Sequence, residues 1–466
     1  MDSELVDFEE MLSFVYLEEE KPGDEFDDIE ETIFLEEITE KPLLGQPERQ
    51  ENICPFDILP EELILNIFSF LTVQEMCKYV ALVCKLWLHY SRCPLLWQKL
   101  SFSESKRVIN GLSDFIKSNC SLLKELCLAK TELTLPYCSD LAQSCPHLQT
   151  LSLSFCDPVT RIILDQFVTF CPNLRDLDLA GCCVTDHCLE GLNKLPLRKL
   201  NVSHCTYLTD NTLKFLSMEC RQLCSLNFDG IQWITHGAIT VLVQNCHGRL
   251  EHLWLDGENM IDCTVELIGK CRRLKSFGLS FCESLTDQSL ICVQNMVNLT
   301  SLTLKKGREF SAEALKELFE HLHPHRTGST TGLLHVNIAE CTDLNDMAMK
   351  ALADSCRNLQ SIDISWCWGV TDVGLEHVVD NCHQMVDMNI CGAKDLRGNP
   401  LKKIPQHMPR LRELDATQCN LVPDELLDEL VYIMPQMSIK NYYGEDVLPP
   451  KIISSNYIIT QGGWCQ

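Results

Sequence analysis

Positive charge and long apolar runs are both scarce in this sequence of 466 residues. It has 39 lysines and arginines against 66 aspartates and glutamates, which gives a formal net charge of −27 at pH 7. General nucleic-acid binding is not expected, because it depends on clustered cations that displace counterions. No apolar run reaches the roughly 18–20 residues that a membrane-spanning helix needs. The acidic start, MDSELVDFEE, is unlike a secretory signal. We predict a cytoplasmic protein and leave a nuclear location open.

Motifs of enzymes and metal sites are also missing. The sequence has no Cys-x-x-Cys, no His-Glu-x-x-His, no P-loop, no Gly-x-Ser-x-Gly and no glycine-rich dinucleotide fingerprint. Such motifs bind zinc, phosphates or nucleotides, or carry a nucleophile. We therefore predict no metal, no cofactor and no catalytic residue. A catalytic cysteine is disfavoured, because most of the 28 cysteines recur in one phase and a reactive thiolate needs a nearby cation or a helix terminus.

The negative charge is concentrated at the start of the chain. Residues 1–40 carry 17 acidic side chains and one basic one, Lys21, and so account for −16 of the net charge. We predict that residues 1–52 form an acidic, disordered extension. The large apolar residues Phe14, Tyr16 and Phe34 leave open a second interpretation, in which short segments of it fold on contact with a partner.

The cysteines mark a repeat of about 26 residues. They recur at one phase, as in Cys120, Cys145, Cys171, Cys220, Cys246, Cys271, Cys356 and Cys382. After each comes Leu-x-x-Leu-x-Leu-x-x-Cys, whose residues we number one to nine. About twelve copies begin near Leu123, Leu148, Leu174, Leu197, Leu223, Leu250, Leu274, Leu299, Leu333, Leu359, Met385 and Leu411. Cysteines at fixed positions of a repeat are interpreted as small buried packing units and free thiols.

One strand and one helix are predicted in each copy. The Leu-x-Leu part alternates with period two, as a half-buried strand does. Thr-Asp pairs follow at 185–186, 209–210, 286–287 and 371–372, where side-chain oxygens can cap a helix. This pattern is typical of a leucine-rich repeat of the cysteine-containing type. We predict an α/β solenoid, a horseshoe of about twelve repeats over residues 103–440, with parallel strands on its concave side.

Two segments depart from the repeat. Residues 323–332, HPHRTGSTTG, form an insertion that we interpret as a surface loop. His321, His323 and His325 are attributed to this solvated loop rather than to a metal site. Residues 441–466 form a C-terminal tail or cap.

Residues 53–102 follow a helical pattern instead. Pro60 is placed to begin a helix, and an apolar stripe of Leu63, Ile64, Ile67, Phe68 and Leu71 follows it. Roughly 45 residues are too few for an independent core, so this much apolar surface predicts a partner.

The segment resembles the F-box. Leu59-Pro60-Glu61-Glu62-Leu63, Ile67-Phe68-Ser69-Phe70-Leu71, Val83-Cys84-Lys85-Leu86-Trp87 and Leu96-Trp97-Gln98-Lys99-Leu100 match its motifs in order. With the repeats behind it, the chain resembles the F-box/leucine-rich-repeat family from residue 54 to about residue 440.

The resemblance implies a non-catalytic substrate receptor of an SCF-type ubiquitin ligase. Its F-box would bind the Skp adaptor, and through it the cullin and RING subunits, while the repeats hold a protein substrate for ubiquitylation and degradation. The implied adaptor-binding residues, each either facing the adaptor or lying in the core of the F-box, are Leu59, Pro60, Leu63, Ile67, Phe68, Leu71, Val83, Cys84 and Trp87. Trp97 and Leu100 would join the F-box to the first repeat. A scaffold that binds the adaptor without directing ubiquitylation remains the alternative.

The substrate site is predicted on the concave face. Strand alternation turns positions three, five and seven outward, with position eight beside them. Acidic residues outnumber lysines there, and aromatic residues project among them. The predicted substrate-binding residues are Phe155, Asp176, Asp178, Asp229, Trp254, Asp256, Phe281, Asp363, Trp366, Asp387 and Asp415. We expect a substrate with a basic segment and an apolar anchor.

Overall fold

The computed structural model describes residues 55–102, 112–322 and 332–448. It divides into two compact units, one ending at Leu177 and one beginning at Asp178. The predicted N-terminal extension (1–52), nearly all of the predicted 323–332 loop and the end of the tail lie outside the described residues. Within the described ranges no helix is long and apolar enough to span a membrane.

The first unit begins with a small helical segment. A 3₁₀ turn at Pro55–Ile58 precedes helices α1 (Glu61–Phe68), α2 (Val73–Lys78) and α3 (Lys85–Ser91). As expected, α1 begins directly after Pro60 and carries two glutamates in its first turn. Helix α2 opens with a capping box between Thr72 and Glu75, which satisfies two end groups at once. It ends at Lys78, and a 3₁₀ turn at Val80–Leu82 follows.

Aromatic contacts hold this helical segment together. The Trp87 ring lies 4.8 Å from the Phe56 ring and 5.3 Å from the Phe68 ring, measured between centroids. Trp97 is buried, donates its Nε1–H to the Ser91 carbonyl at 2.7 Å and packs edge-on against Phe115. Trp97 therefore ties the helical segment to the first repeat helix, as predicted.

The rest of the first unit is built from repeats. Its helices are α4 (Leu112–Asn119), α5 (Leu135–Ser144) and α6 (Arg161–Phe170), and its strands are β1 (Lys99–Ser101), β2 (Glu125–Cys127) and β3 (Thr150–Ser152). Strand β4 (Asp176–Asp178) spans the boundary between the units. Strands β1, β2 and β3 pair in parallel and in chain order.

The second unit continues the same alternation of strand and helix. Its strands are β5 (Lys199–Asn201), β6 (Ser225–Phe228), β7 (His252–Asp256), β8 (Ser276–Ser280), β9 (Ser301–Leu304), β10 (His335–Asn337), β11 (Ser361–Asp363), β12 (Asp387–Asn389), β13 (Glu413–Asp415) and β14 (Ser438–Lys440). Its helices are α7 (Asp186–Leu189), α8 (Asp210–Glu219), α9 (His236–Cys246), α10 (Asp262–Ile268), α11 (Asp287–Val293), α12 (Ala312–His321), α13 (Asp346–Ser355), α14 (Asp372–Asn381), α15 (Ile404–His407) and α16 (Asp424–Ile433). Strands β5 to β14 pair in parallel and in chain order. This is the predicted leucine-rich-repeat solenoid.

The first and last strands of the sheet were not predicted from the sequence. Strands β2 to β13 are the twelve predicted ones, whereas β1 and β14 are additional. The segment that forms β14 lacks the Leu-x-Leu pair and the cysteine, so Ile439 alone matches an inward position of the strand pattern. Val447 donates its N–H to the Ile439 carbonyl at 2.8 Å, and this returning segment covers the open edge of β14.

The predicted alternation of the strands is confirmed by burial. In β2, β3, β11 and β12 the middle residue is buried and both neighbours are partly exposed. The inward residues at positions one, four and six, such as Leu148, Leu151 and Leu153, are completely buried. Each repeat therefore contributes a narrow apolar slab, which only its neighbours can cover.

Position eight adopts the left-handed backbone conformation in all of the predicted repeats except the one with Gly257. Its φ is positive at Lys130, Phe155, His204, Phe281, Lys306, Glu340, Trp366 and Gln418, and at Gly181, Gly230 and Gly392. The N–H of Glu340 donates to the carbonyl of Ser365, at position seven of the next repeat. The turn extends the ladder of hydrogen bonds by one residue, although left-handed non-glycine residues cost about 1–2 kcal/mol each.

The cysteine at position nine bonds to the backbone of the preceding repeat at Cys156, Cys205, Cys341, Cys367 and Cys419. The Sγ–H of Cys156 donates to the Leu128 carbonyl at 2.9 Å, and that of Cys367 to the Ile338 carbonyl at 3.1 Å. Every cysteine in the described ranges is a free thiol. Burial raises the pKa of Cys205 and of Cys419 to about 11. The cysteines are packing units, as predicted.

The Thr-Asp pairs do more than cap helices. Thr209, Thr286 and Thr371 accept a first-turn amide as predicted, whereas Thr185 makes no such bond and instead contacts Cys188 Sγ. The first aspartate of a repeat helix, whether or not a threonine precedes it, accepts hydrogen bonds from the capping residue of the next repeat. These carboxylate bridges are Asp186–Thr209, Asp210–Thr235, Asp262–Thr286, Asp287–Ser311 and Asp346–Thr371.

Candidate functional site

Helix α1 has two apolar faces. Ile64 and Phe68, four residues apart, point into the helical core, and Phe68 is only 2% exposed. Leu63 and Ile67 have the same spacing and are 49% and 41% exposed. Of the two alternatives for Phe68, the structure therefore favours the core over the contact surface, because its ring packs on Trp87 inside the segment.

The other predicted adaptor-binding residues fall into two groups. Val83 is 57% exposed, Pro60 is exposed, and Leu59 and Leu71 are partly exposed. Cys84 is exposed and Trp87 is partly buried; Cys84 Sγ accepts the N–H of Trp87 at 3.5 Å and so begins α3.

Six further exposed apolar residues of the helical segment were not predicted as contacts. They are Ile58, Phe70, Tyr79, Leu82, Leu86 and Leu95. We call these six, together with Leu63, Ile67 and Val83, the apolar patch. Both faces of α1 are apolar in sequence, so the pattern could not tell which face is open. Exposure of this many large apolar side chains on so small a segment indicates a binding surface.

Three of the predicted acidic residues lie together on the strand face of the second unit. Asp363, Asp387 and Asp415 line one groove along β9 to β13, with Asn337, Asn389 and Glu413. Asn337 donates its Nδ2–H to Asp363 at 2.9 Å. Asp178 lies on β4 and accepts the N–H of Ala180 at 3.1 Å.

The two predicted tryptophans have different surroundings. Trp366 is at position eight and is 38% exposed, and its ring lies over Gly392, where a Cβ would come within 2.6 Å of it. Trp254 is partly buried. Its ring stacks on His252 with centroids 5.9 Å apart and lies over Gly278 of the next strand. Burial lowers the pKa of His252.

Asp256 differs from its predicted open position. It is 5% exposed, and its carboxylate bends back to accept the N–H of Glu258 at 2.9 Å. Burial, together with the negative charges of Asp229 and Glu258, raises the pKa of Asp256. Phe281 is exposed as predicted, and Lys306 Nζ stands 4.0 Å from its ring centre.

In the first unit, Phe155 is exposed at position eight and Asp176 is partly exposed on β4.

Throughout residues 55–102, 112–322 and 332–448, no group of three or more His, Cys, Asp or Glu side chains could hold a metal ion.

Comparison with known families agrees with this architecture. The F-box-like family model matches residues 56–103, and the leucine-rich-repeat model matches residues 144–160, 170–191 and 355–378. The chain carries an F-box followed by leucine-rich repeats. The helical segment of the first unit is therefore an F-box, and we use that name from here on.

Curated relatives share this combination. The chain is 27% identical over 282 residues to F-box/LRR-repeat protein 4 of Bos taurus, covering 58% of this chain and 40% of the relative. It is 24% identical over 232 residues to the SCF E3 ubiquitin ligase complex F-box protein pof2 of Schizosaccharomyces pombe, covering 48% and 44%. The chain thus spans less than half the length of each of these relatives.

A solved structure has the same fold. The crystal structure of the yeast Rad7 and Elc1 complex superposes with a TM-score of 0.60 at 17% identity, covering 83% of this chain and 93% of that chain.

Proposed function

We propose that this protein is the substrate-recognition subunit of an SCF-type ubiquitin ligase. Its F-box binds a Skp adaptor, which connects it to the cullin and RING subunits, and its repeats bind a protein substrate. The substrate is ubiquitylated by the assembled ligase and then degraded. The chain itself supplies binding surfaces and no catalytic residue.

The apolar patch carries this proposal. Leu63, Ile67 and Val83 each leave about half of a large side chain in water. Removing such a half from water is worth about 1 kcal/mol per residue, so a partner that covers the patch gains several kcal/mol. One relative is named as an F-box protein of an SCF E3 ubiquitin ligase complex. This name supports a Skp adaptor as the partner that covers the patch.

The strand face of the repeats supports substrate binding. The groove of Asp363, Asp387 and Asp415 attracts a basic segment, and the exposed rings of Trp366 and Phe281 offer apolar anchors of the kind found at binding hot spots. We propose that the substrate presents a basic segment with an apolar anchor. The free thiols of the chain suit the reducing cytoplasm or nucleus, where we expect imaging to find it.

Ubiquitylation by a reconstituted ligase tests the proposal. The substrate is first captured on a full-length L63A/I67A variant, because deleting the F-box would also remove β1 and Trp97. Captured proteins are then incubated with the adaptor, cullin, RING protein and conjugating enzyme, together with parent, L63A/I67A or I162A chains. Ile162, an apolar residue on α6, is at least as exposed as Leu63 and Ile67 and serves as the control.

We expect polyubiquitin on a captured protein with the parent and I162A chains but not with L63A/I67A. Adaptor binding without modification of any captured protein would favour the scaffold and contradict the proposal.

A further inference from the structure

Helix α16 is the last helix of the second unit, and in the described part of the chain no repeat lies beside its outer flank. Correspondence with α14 identifies that flank, because both helices begin with an aspartate and have ten residues. Tyr432 of α16 corresponds to Asp380 of α14. The Asp380 carboxylate lies 3.1 Å from Lys403 Nζ and 3.3 Å from His407 Nδ1, both in the following repeat. Tyr432 therefore points to the place that a following repeat would occupy.

The outer flank of α16 leaves apolar and acidic side chains in water. Tyr432 is 71% exposed and Ile433 is 50% exposed. Asp428 lies one turn before Tyr432 and corresponds to Glu376, which pairs with Lys403 at 2.7 Å. Within the described residues, Asp428 has no such ion pair. Terminal repeats need a cap with a polar outer face, so this flank requires an occupant.

The chain leaves the described residues beside this flank. After β14 it turns back antiparallel to that strand, and Val447 donates its N–H to the Ile439 carbonyl at 2.8 Å. This register places Leu448 beside Ser438, which follows α16 after a loop of only four residues. Leu448 is 74% exposed, and 18 residues follow it. The tail therefore begins next to the end of α16.

Residues 449–455, PPKIISS, match the flank in length and in chemistry. Seven extended residues span about 23 Å, whereas a helix of ten residues is about 15 Å long. Lys451 is the one basic residue after Leu448, and two isoleucines follow it directly. The segment thus supplies a cation for Asp428 and an apolar cover for Tyr432.

We propose that residues 449–455 pack along the outer flank of α16 and cap the last repeat. Lys451 pairs with Asp428, and the two isoleucines after it cover Tyr432. The tail then lies away from the acidic groove on the strand face and leaves that groove free for a substrate. The contact uses no residue of the F-box and stands independently of the proposed function.

Photo-cross-linking in the full-length protein identifies the occupant of the flank. p-Benzoylphenylalanine replaces Tyr432 or, as the control, Tyr207, which is 63% exposed elsewhere on the second unit. A mixture of isotopically labelled and unlabelled chains separates contacts within one chain from contacts between two copies. We expect cross-links from position 432 to residues 449–455 of the same chain. Cross-links to a second copy instead, or equal yields from position 207, would overturn the proposal.

Hydrogen exchange of the α16 amides measures what the contact contributes. I452S/I453S should speed this exchange about tenfold, because the helix then opens without its apolar cover. I458S/I459S is the control and should leave the rate unchanged, since these isoleucines lie beyond the segment that spans α16. Unchanged exchange in I452S/I453S, or equal acceleration by both pairs, would overturn the proposal.

Reversal of the two charges tests the pairing of Lys451 with Asp428. D428K and K451E should each speed exchange of the α16 amides about threefold, the size of effect typical of an exposed ion pair. The double variant D428K/K451E should return to nearly the parent rate, because the pair forms again with its signs exchanged. Effects that simply multiply in the double variant would show that the two side chains do not meet, and would overturn the proposed path of the tail.

Discussion

The carboxylate of Asp346 holds Thr371 of the next repeat by two hydrogen bonds. The backbone N–H of Thr371 donates to Oδ1 at 2.8 Å and its hydroxyl donates to Oδ2 at 2.7 Å. Asp346 is the first residue of α13, and Thr371 caps α14. One side chain therefore fixes the start of the following helix, and the same bridge recurs along the second unit. Neighbouring repeats are joined by charge-assisted bonds as well as by apolar packing.

We predict that D346A lowers the free energy of unfolding by about 2–3 kcal/mol, because hydrogen bonds to a charged group are worth about 1.5–3 kcal/mol. Urea unfolding followed by circular dichroism measures this. D343A, at an exposed aspartate three residues earlier, is the control and should change the value by less than about 0.5 kcal/mol. Equal effects of the two substitutions would show that the bridge contributes little.

The carboxylate bridges also predict a dependence on pH. Burial opposes ionisation of Asp186, Asp210 and Asp262, but hydrogen bonds from the next repeat outweigh it, so each pKa lies below the ordinary value of 3.8. A carboxylate whose pKa is lowered by folding stabilises the folded state at pH values above its ordinary pKa. This stabilisation is lost as the pH falls through the pKa of the folded state.

A triple variant, D186N/D210N/D262N, should therefore be less stable than the parent at pH 7, and the difference should shrink below pH 3.8. Urea unfolding at a series of pH values measures both. If the difference in unfolding free energy between the variant and the parent stays constant below pH 3.8, the ionised carboxylates are not its cause.

Thiol reactivity should follow burial. Burial raises the pKa of Cys145 and of Cys171 to about 12, so at pH 8 only about one thiol in 10⁴ is ionised. Cys84, Cys183 and Cys263 are exposed. We expect iodoacetamide to label these three in the folded protein and to spare Cys145 and Cys171 until urea is added, as read by mass spectrometry. Rapid labelling of Cys171 in the folded chain would refute this packing.

Gly278 is predicted to hold Trp254 in place. A Cβ at residue 278 would come within 2.2 Å of the indole, and the indole can move, so G278A should shift the tryptophan emission without unfolding the chain. If Trp254 contacts substrate, binding should weaken by about 2 kcal/mol or more in W254A and in G278A. G248A is the control, since no atom lies within 4 Å of a Cβ there. Unchanged emission and substrate affinity in G278A would remove Trp254 from the site.

Local patterns in the sequence predicted most of the repeats. The Leu-x-Leu alternation of residues such as Leu151 and Leu153 depends only on neighbours in the chain, and it gave twelve of the fourteen strands. Strand β14 was not predicted, because its segment has Ile439 but lacks the second apolar residue of the Leu-x-Leu pair.

Contacts between repeats could not be predicted in the same way. The bond from Asp346 to Thr371 joins residues 25 apart, and either residue alone resembles an ordinary helix cap. Likewise, the spacing of Phe68 and Leu63 shows two apolar faces on α1, but only the position of Trp87 decides which face is inside. Asp256 occupies an outward position in the pattern, yet its side chain is buried and accepts the N–H of Glu258.

The most direct measurement is the affinity of the full-length protein for purified Skp adaptor, by isothermal titration calorimetry. Loss of the exposed side chains of Leu63 and Ile67 should remove about 2 kcal/mol of binding, so we predict that L63A/I67A binds about 30-fold more weakly than the parent. I162A should bind like the parent. If L63A/I67A binds the adaptor as tightly as the parent, the apolar patch is not the adaptor site and the proposed function fails.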